Sequence, residues 1–364
     1  KQEFFEIGRK IGLPMIPGEQ LRVDELDDKR WEELKKKMGE RLVFQLTDFS
    51  RGGGQGTFFI NNEGDLNHFR EFLSRKKSDG SEKPLEHVNV TKFIEGISPS
   101  ITGCAIRYGV LTGVVQTQIL DVPELVNSER SGVYLGHDWS YQHYSELIQK
   151  QADKIAKTLG EYMYKNGYRG IFGVDLIVDK ETNKVYPVEC NPRYTGAFPV
   201  YSMMQVANDE IPLDVFQLME LLEIDYEMDF ESVDRRWKQP KEGAHFGLHN
   251  RNKEKWVKSH GDLTAGVYRL NGEKLVRVRD GATYLDLKEG DEFVVTDGCP
   301  RPGTYGKPRL RVGKLIFKQG VLTGNNCISD FAITAFNKVM KGFDFREVSD
   351  EEQRKLDRKY GYER

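Results

Sequence analysis

The spacing of hydrophobic positions changes several times along the chain, and each change marks a different kind of element. Phe4, Ile7 and Ile11 fall at helical intervals over residues 1–11, and GLPMIPG then ends that helix with glycine and proline. Residues 24–38 read as a second short helix with a charged outer face. RLVFQLT is β-rich and leads directly into DFSRGGGQGTFFI. Leu66, Phe69, Phe72 and Leu73 form the stripe of a further helix, followed by the solvated turn SRKKSDGSEKP. HVNVTKFIEG reads as a strand and hinge, and two alternating runs between Ser98 and Leu120 meet at Tyr108-Gly109. Next, ERSGVYLGHDWS reads as a loop carrying His137 and Asp138. A long amphipathic helix spans residues 140–166, with Leu147, Ile148, Ile155, Leu159, Tyr162 and Met163 packed on a sheet.

The polar positions are most informative between Gly170 and Gly196, in GIFGVDLIVDKETNKVYPVECNPRYTG. Two apolar alternations flank a polar turn, which is the pattern of an antiparallel hairpin. Side chains alternate between faces, so Asp175, Ile177 and Asp179 share one side of the first strand. Pro187, Glu189 and Asn191 share one side of the second. A loop over residues 180–184 pairs Asp179 with Val185, Ile177 with Pro187 and Asp175 with Glu189. Two carboxylates facing each other on a ladder repel unless a cation lies between them, and an oxygen-only ligand set suits a hard ion such as magnesium. Asn191 adds a neutral oxygen, and Arg193 brings a planar fork of donors for an anion.

After the hairpin, IPLDVFQLMELLEI reads as another amphipathic helix, and a polar stretch over residues 234–242 marks a boundary. From 244 to 318 the alternations AGVYRL, KLVRVRD, DEFVVTD and KLIFKQG are short and separated by glycine turns, so this part is β-rich. Residues 329–340 read as a closing helix, and the charged tail beyond Lys341 is expected to be mobile.

Composition narrows the function classes. A chain of 364 residues buries a large core and accommodates two or three domains. With 38% hydrophobic and 30% charged residues and a formal net charge of −3, it has no global attraction to nucleic acid or an anionic membrane. The basic loop CPRPGTYGKPRLRVGK, with Arg301, Lys307, Arg309 and Arg311, is the local exception. It suits a phosphate-bearing ligand or a carboxylate substrate, and with only Tyr305 interleaved it argues against nucleic acid. His245 and His249 share a strand parity but have no third metal ligand near them in sequence. The four cysteines form neither a C-x-x-C pattern nor a dense framework, so reduced thiols are expected. No apolar run approaches the about 20 residues of a membrane span, and KQEFFEIGRK has no signal-peptide core; a cytoplasmic protein is the expectation.

VDLIVD followed by PVECNPRYTG resembles the metal-binding hairpin of the ATP-grasp superfamily, in the branch that includes biotin carboxylase and the carbamoyl-phosphate synthetase large chain. The resemblance covers most of residues 1–225. It implies an α+β ATP-grasp fold, with a small lid sheet with helices, a larger antiparallel-sheet body and a β-rich C-terminal accessory domain. The corresponding spans are a lead-in over 1–38, a lid over 39–95, a body over 96–232, a C-terminal domain over 243–340 and a charged tail over 341–364. It further implies ATP as cosubstrate and magnesium, or manganese in its place, held by Asp175, Glu189 and Asn191. Arg193, with Asn191, would then steady an acyl-phosphate or its transition state.

The same resemblance assigns the nucleotide site. Lys1 takes the place of a phosphate-contacting lysine that opens K-x10-G-[IL]-P, and a further α/β domain normally precedes it, so a separate N-terminal domain or subunit is an expected partner. The glycines of DFSRGGGQGTFFI leave consecutive N–H groups able to cradle an anion, giving a phosphate-covering lid of Arg51, Gly52, Gly53, Gly54, Gln55 and Gly56. Gln45 stands where the family usually has a lysine, and Arg51 is the candidate replacement for its charge. Main-chain groups of Lys92 and Ile94 would pair with adenine while Phe93 faces the core. Thr91 and Ser98 stand where many relatives have glutamates. The implied activity is an ATP-dependent carboxylate–amine, or related nucleophile, ligase that forms ADP and phosphate through an acyl-phosphate. Its substrates would be a small carboxylate and an amine, and a homo-oligomer is compatible with this reading. The alternatives are a bicarbonate-activating carboxylase or carbamoyl-phosphate-synthetase-like component, and a non-catalytic nucleotide-binding module.

Overall fold

The computed structural model describes residues 2–47, 56–78, 85–126, 132–252 and 254–361. The amino-terminal part runs α1 (Gln2–Lys10), β1 (Gly18–Arg22), α2 (Asp28–Met38), β2 (Leu42–Leu46), β3 (Thr57–Ile60), α3 (Glu63–Ser78) and β4 (His87–Lys92). The four strands form one antiparallel sheet in the order β1-β4-β2-β3. Asp27 caps α2 by accepting from the Arg30 amide. Strand alternation sends Leu21, Leu42, Phe44, Leu46, Val88 and Val90 to one face, where Trp31, Leu34, Leu66 and Phe69 cover them. The opposite face carries two cross-strand rows, Gly18–Thr91–Val43–Phe59 and Gln20–Asn89–Gln45–Thr57. Gln20 donates to Asn89 Oδ1 at 3.0 Å within the second row.

The body follows as β5 (Gly96–Ile97), β6 (Pro99–Ile106), β7 (Gly109–Thr112), β8 (Gln116–Leu120), β9 (Tyr134–Asp138), α4 (Glu146–Lys165), β10 (Gly170–Asp179), β11 (Val185–Asn191), α5 (Phe198–Ala207), α6 (Leu213–Leu221) and α7 (Phe230–Trp237). Every residue of β6 is buried because both of its faces are covered. On one side Ile101 and Ala105 meet Ile148, Ala152, Ile155 and Leu159 of α4; on the other Cys104 and Ile106 meet Phe198, Tyr201, Leu213 and Phe216. The Ser145 hydroxyl caps α4. Leu147, expected in the packed stripe, is 60% exposed: it lies in the first turn of α4, and its neighbour Ile148 is the residue that packs on the sheet.

The chain continues as β12 (Ala244–His249), β13 (Val257–Ser259), β14 (Gly266–Asn271), β15 (Lys274–Arg279), β16 (Glu292–Thr296), β17 (Tyr305–Gly306), β18 (Arg311–Phe317), β19 (Leu322–Gly324), β20 (Cys327–Ile328), α8 (Asp330–Phe343), β21 (Phe345–Glu347) and α9 (Asp350–Tyr360). Strand β12 pairs with β9, so the C-terminal strands extend the body sheet. Its order is β11-β10-β6-β8-β9-β12-β18-β16-β14-β15, with β5 and β7 at its sides. Helix α8 covers one face through Ala332, Ala335, Phe336 and Val339. The expected mobile tail is instead docked. Strand β21 adds to β13, and α9 buries Leu356 against Trp256, whose indole donates to Asp357 at 2.8 Å. Among the described residues no helix is long and apolar enough to cross a membrane.

Candidate active site

The uncovered polar face of the lid sheet looks across a cavity of about 540 Å³ at the end of β10–β11. Val43, Gln45, Thr57, Phe59, Asn89 and Thr91 line the lid side. Lys92, Phe93, Ile94 and Ser98 line the hinge. Asp175, Glu189, Asn191 and Arg193 line the body side, with Gln118, Tyr134, His137 and Arg311. A second groove of about 570 Å³ lies between the start of α4 and α7. Its central carboxylates are already paired: Lys238 holds Asp153 and Asp234, and Lys157 also holds Asp234, each at 2.6 to 2.7 Å. The lid-facing cavity therefore has the stronger claim to chemistry.

Asp175 and Glu189 sit directly opposite each other on the β10–β11 ladder. Beyond them the register differs from the expectation. Leu176 pairs with Pro187 and Ile177 with Tyr186, because one extra residue on β11, Val188, bulges out after Asp175. A proline with no ladder N–H beside the bulge accounts for the break. The Asp175 carboxylate accepts from Gln118 Nε2 at 2.7 Å and from Asn191 Nδ2 at 3.1 Å, while Arg193 donates to Asn191 Oδ1 at 3.1 Å. Withdrawal from water, with the Glu189 charge second, pushes the Asp175 carboxyl up to about 6.

Among the described residues no three His, Cys, Asp or Glu side chains converge on a point for a metal. Two carboxylates and an amide remain a fitting set for magnesium, which is commonly held by one or two carboxylates and completed by water and substrate phosphates. The facing of Asp175 and Glu189, with Asp175 raised first by burial and then by the Glu189 charge, is the local sign of such a fit.

A buried polar chain backs this site. His137 Nε2 lies 3.0 Å from Ser100 Oγ, and Nδ1 lies 2.9 Å from the Tyr134 hydroxyl. Ser100 accepts from Gln116, whose oxygen accepts from the Trp139 indole. Burial, with the Lys314 charge second, lowers His137 to about 3, so the imidazole is neutral. The expected loop here is largely strand: Tyr134 to Asp138 pairs with both β8 and β12, and those partners satisfy its backbone. Asp138 is structural. Its carboxylate accepts four backbone amides, from Ser140, Tyr141, Val321 and Leu322, tying β9 to the turn before β19.

Several predicted nucleotide residues meet on the cavity: Gln45, Thr91, Lys92, Phe93, Ile94 and Ser98. Lys1 and residues 51–55 lie outside the described residues, and Gly56 is a buried turn residue whose carbonyl accepts from Leu46. Two details differ from expectation. Phe93 does not face the core; it is half-buried, edge-on to Phe59 with the Arg41 guanidinium 3.8 Å from its ring centre, and Ile94 is the buried neighbour. The Lys92 amide is already donated to the Pro17 carbonyl at 2.9 Å, because the strand continues its pairing to that point. Gln118 and Tyr134 were not anticipated. The alternation Gln116, Gln118 within a β run was a readable sign of a polar face.

A family model described as "ATP-grasp domain" matches residues 48–197. The formate-dependent phosphoribosylglycinamide formyltransferase of a Nitratiruptor species is 30% identical over 162 residues, which are 44% of this chain and 36% of that one. The match thus spans about a third of the relative's length. Among solved structures, the biotin carboxylase domain of Hydrogenobacter thermophilus 2-oxoglutarate carboxylase superposes with a TM-score of 0.59 at 14% identity, over 94% of this chain and 65% of that one. Carboxyaminoimidazole ribonucleotide synthase from Aspergillus clavatus gives 0.55 at 11%, over 94% and 73%. At these identities the likeness concerns the fold, a lid and a body of the ATP-grasp kind.

Proposed function

We propose that this chain, which carries an ATP-grasp domain over residues 48–197, is an ATP- and magnesium-dependent ligase that joins a small carboxylate to an amine through an acyl-phosphate. The observation that carries the reading is the facing pair Asp175 and Glu189, with Asn191 and Arg193 beside it, on the wall of a cavity roofed by the lid sheet. The relative's name specifies dependence on formate, itself a carboxylate, which fits a carboxylate as the activated group.

In this scheme a carboxylate oxygen of the acid attacks the γ-phosphorus, the bond to ADP breaks, and the amine then displaces phosphate from the acyl carbon. Little covalent chemistry falls to the protein, whose work is positioning and charge neutralisation. Asp175 and Glu189 would hold the metal, with Asn191 turned to present its oxygen. When bound, magnesium or manganese supplies positive charge against the phosphate oxygens. Turning Asn191 frees the Arg193 donor that its oxygen now accepts, and Arg193, two residues along from it, directs its donors toward the transferring phosphoryl oxygens. Gln118 fixes Asp175, and the neutral Tyr134–His137–Ser100 chain fixes the floor without competing for the anion. Thr91, Phe93, Ile94 and Ser98 would line the nucleoside end. A cytoplasmic location, with Cys104, Cys190, Cys299 and Cys327 free, belongs to the same reading.

The lid wall favours one rival, a nucleotide-binding module without turnover, since Gln45, Asn89, Thr57 and Thr91 present no charge to the phosphates. A panel of small acids, with bicarbonate included, assayed for ADP release in the presence of ATP, magnesium and a mixture of amines separates the cases. Acid-dependent release that is lost in Glu189→Gln is expected. ATP binding without release for any acid would replace the ligase reading with the binding module, and release with bicarbonate alone would replace it with the carboxylase reading.

A further inference from the structure

The cavity has a second chemical character at the end remote from the lid. Arg311 reaches it from β18, a strand outside the matched domain. The Tyr134 hydroxyl marks the junction: burial first and Asp175 second disfavour its ionisation, while Arg311 and Arg193 favour it, so acidic and basic groups both lie within electrostatic reach of it. Arg311 lies across β12 at Gly247, where an added Cβ would come within 3.2 Å of the Arg311 Cδ and 3.1 Å of the His249 ring. Lys314, paired across the same ladder with Gly247, is 6% exposed.

These cations are incompletely balanced. Arg311 and Lys314 share one ion-pair partner among the described residues, the half-exposed Asp297, with Lys314 at 3.5 Å. Among those residues Arg193 donates to neutral oxygens, Asn191 Oδ1 and the Tyr194 carbonyl. Burial, with Arg311 second, lowers Lys314 to about 8. Imidazoles surround the cations. Both ring nitrogens of His245 and Nδ1 of His249 are buried with no hydrogen-bond partner among the described residues. His245 lies opposite His137 in the ladder, with ring centres 5.6 Å apart, and the charges of Lys314 and Arg311 act on it. Arg311, its side chain 44% exposed, lines the cavity, and buried Lys314 lies behind it; an underbalanced buried cation is costly, and an anion held at Arg311 offsets that cost.

Resting on the ligase reading, we propose that Arg311 and Lys314, backed by His245 and His249, form an anion subsite that selects an acid bearing a second anionic head group, carboxylate or phosphate, beyond the carboxylate that is activated. Arg193, on the metal hairpin, serves the reacting group; Arg311 and Lys314, from β18, serve the distal one. The subsite makes the C-terminal strands part of substrate recognition as well as of the fold.

Calorimetric titration of the full chain without nucleotide tests this independently of turnover. Succinate, 3-phosphonopropionate and butyrate are the probes, differing in the distal group. Succinate or phosphonopropionate should bind at least tenfold more tightly than butyrate, and whichever of the two is tighter identifies the head group. Arg311→Gln should abolish the advantage and Arg311→Lys restore part of it, with unfolding midpoints confirming that the variants are folded. Equal affinity for all three probes in the unmodified protein, or an advantage undiminished in Arg311→Gln, would overturn the proposal. Failure of the ligase reading would register separately, as absent ADP release in a protein that still prefers the dianions.

Discussion

Replacing Asp175 by Asn should remove magnesium-dependent nucleotide binding and at the same time change how stability depends on pH. The Asp175 carboxyl is raised from 3.8 to about 6 by withdrawal from water and by Glu189 opposite it. Because the folded value lies above the unfolded one, the native state holds this proton more tightly. The contribution is fully present below about 3.8 and is lost as pH rises through about 6. At about 1.4 kcal/mol for each tenfold difference, the interval is worth about 3 kcal/mol, and residual water at this half-buried group reduces it to about 1–2 kcal/mol. Asn also loses one acceptor for the Gln118 and Asn191 amides, a cost of about 1 kcal/mol that does not vary with pH. The diagnostic is thus the change in the difference between the two proteins. Urea unfolding without metal, from pH 4 to pH 8, should show the variant gaining about 1–2 kcal/mol on the unmodified protein as pH rises. ATP with magnesium should stabilise only the unmodified protein. Parallel pH curves would refute the reasoning that burial and the facing Glu189 together raise this carboxyl, and equal stabilisation by ATP and magnesium would refute the metal assignment.

Glu292 gives the opposite sign. Hydrogen bonds from Arg279, with the Lys288 and Glu289 amides, hold it down to about 2, so its contribution is present above about 4.5 and is lost as pH falls through about 2. Glu292→Gln should cost about 2 kcal/mol at neutral pH and flatten the acid limb of the melting curve; an unchanged limb would count against it. Gly196→Ala would place a Cβ 2.5 Å from the Tyr134 hydroxyl and should part Tyr134 from His137 at a cost of about 1–3 kcal/mol, visible as a shifted His137 ring resonance. Gln45→Lys should tighten ATP several-fold, since a charge-assisted bond to phosphate is worth about 1 kcal/mol more than a neutral one. Indifference to that change would mean that β2 does not approach the phosphates.

What was legible in the sequence was what depends on local period. The β-rich run RLVFQLT and the alternation in HVNVTK mark lid strands, and the hairpin spacing places Asp175 opposite Glu189. Elements defined by distant partners were not legible. Tyr134 to Asp138 looks like a loop because its polar residues, His137 and Asp138, are satisfied by Ser100 and by the amides of Val321 and Leu322, far along the chain. The bulge at Val188 shifts the register without leaving a mark in the alternation. The α9 helix is charged on most sides and reads as a solvated tail, because its docking rests on Gln353 and Leu356 with Trp256 nearly a hundred residues earlier. The side on which Arg311 emerges depends on a second irregularity, at Leu248 and His249, which pattern alone cannot place.

The central claim is that a carboxylate oxygen of the acid becomes bonded to the phosphorus of ATP. Using the acid that releases most ADP, labelled with ¹⁸O in its carboxylate, the mass of the phosphate produced reads that bond directly. One ¹⁸O atom should pass into each phosphate, and none should do so in Glu189→Gln, which would make no product. Unlabelled phosphate from the unmodified protein would mean that water attacks the nucleotide, and the acyl-phosphate account would be wrong.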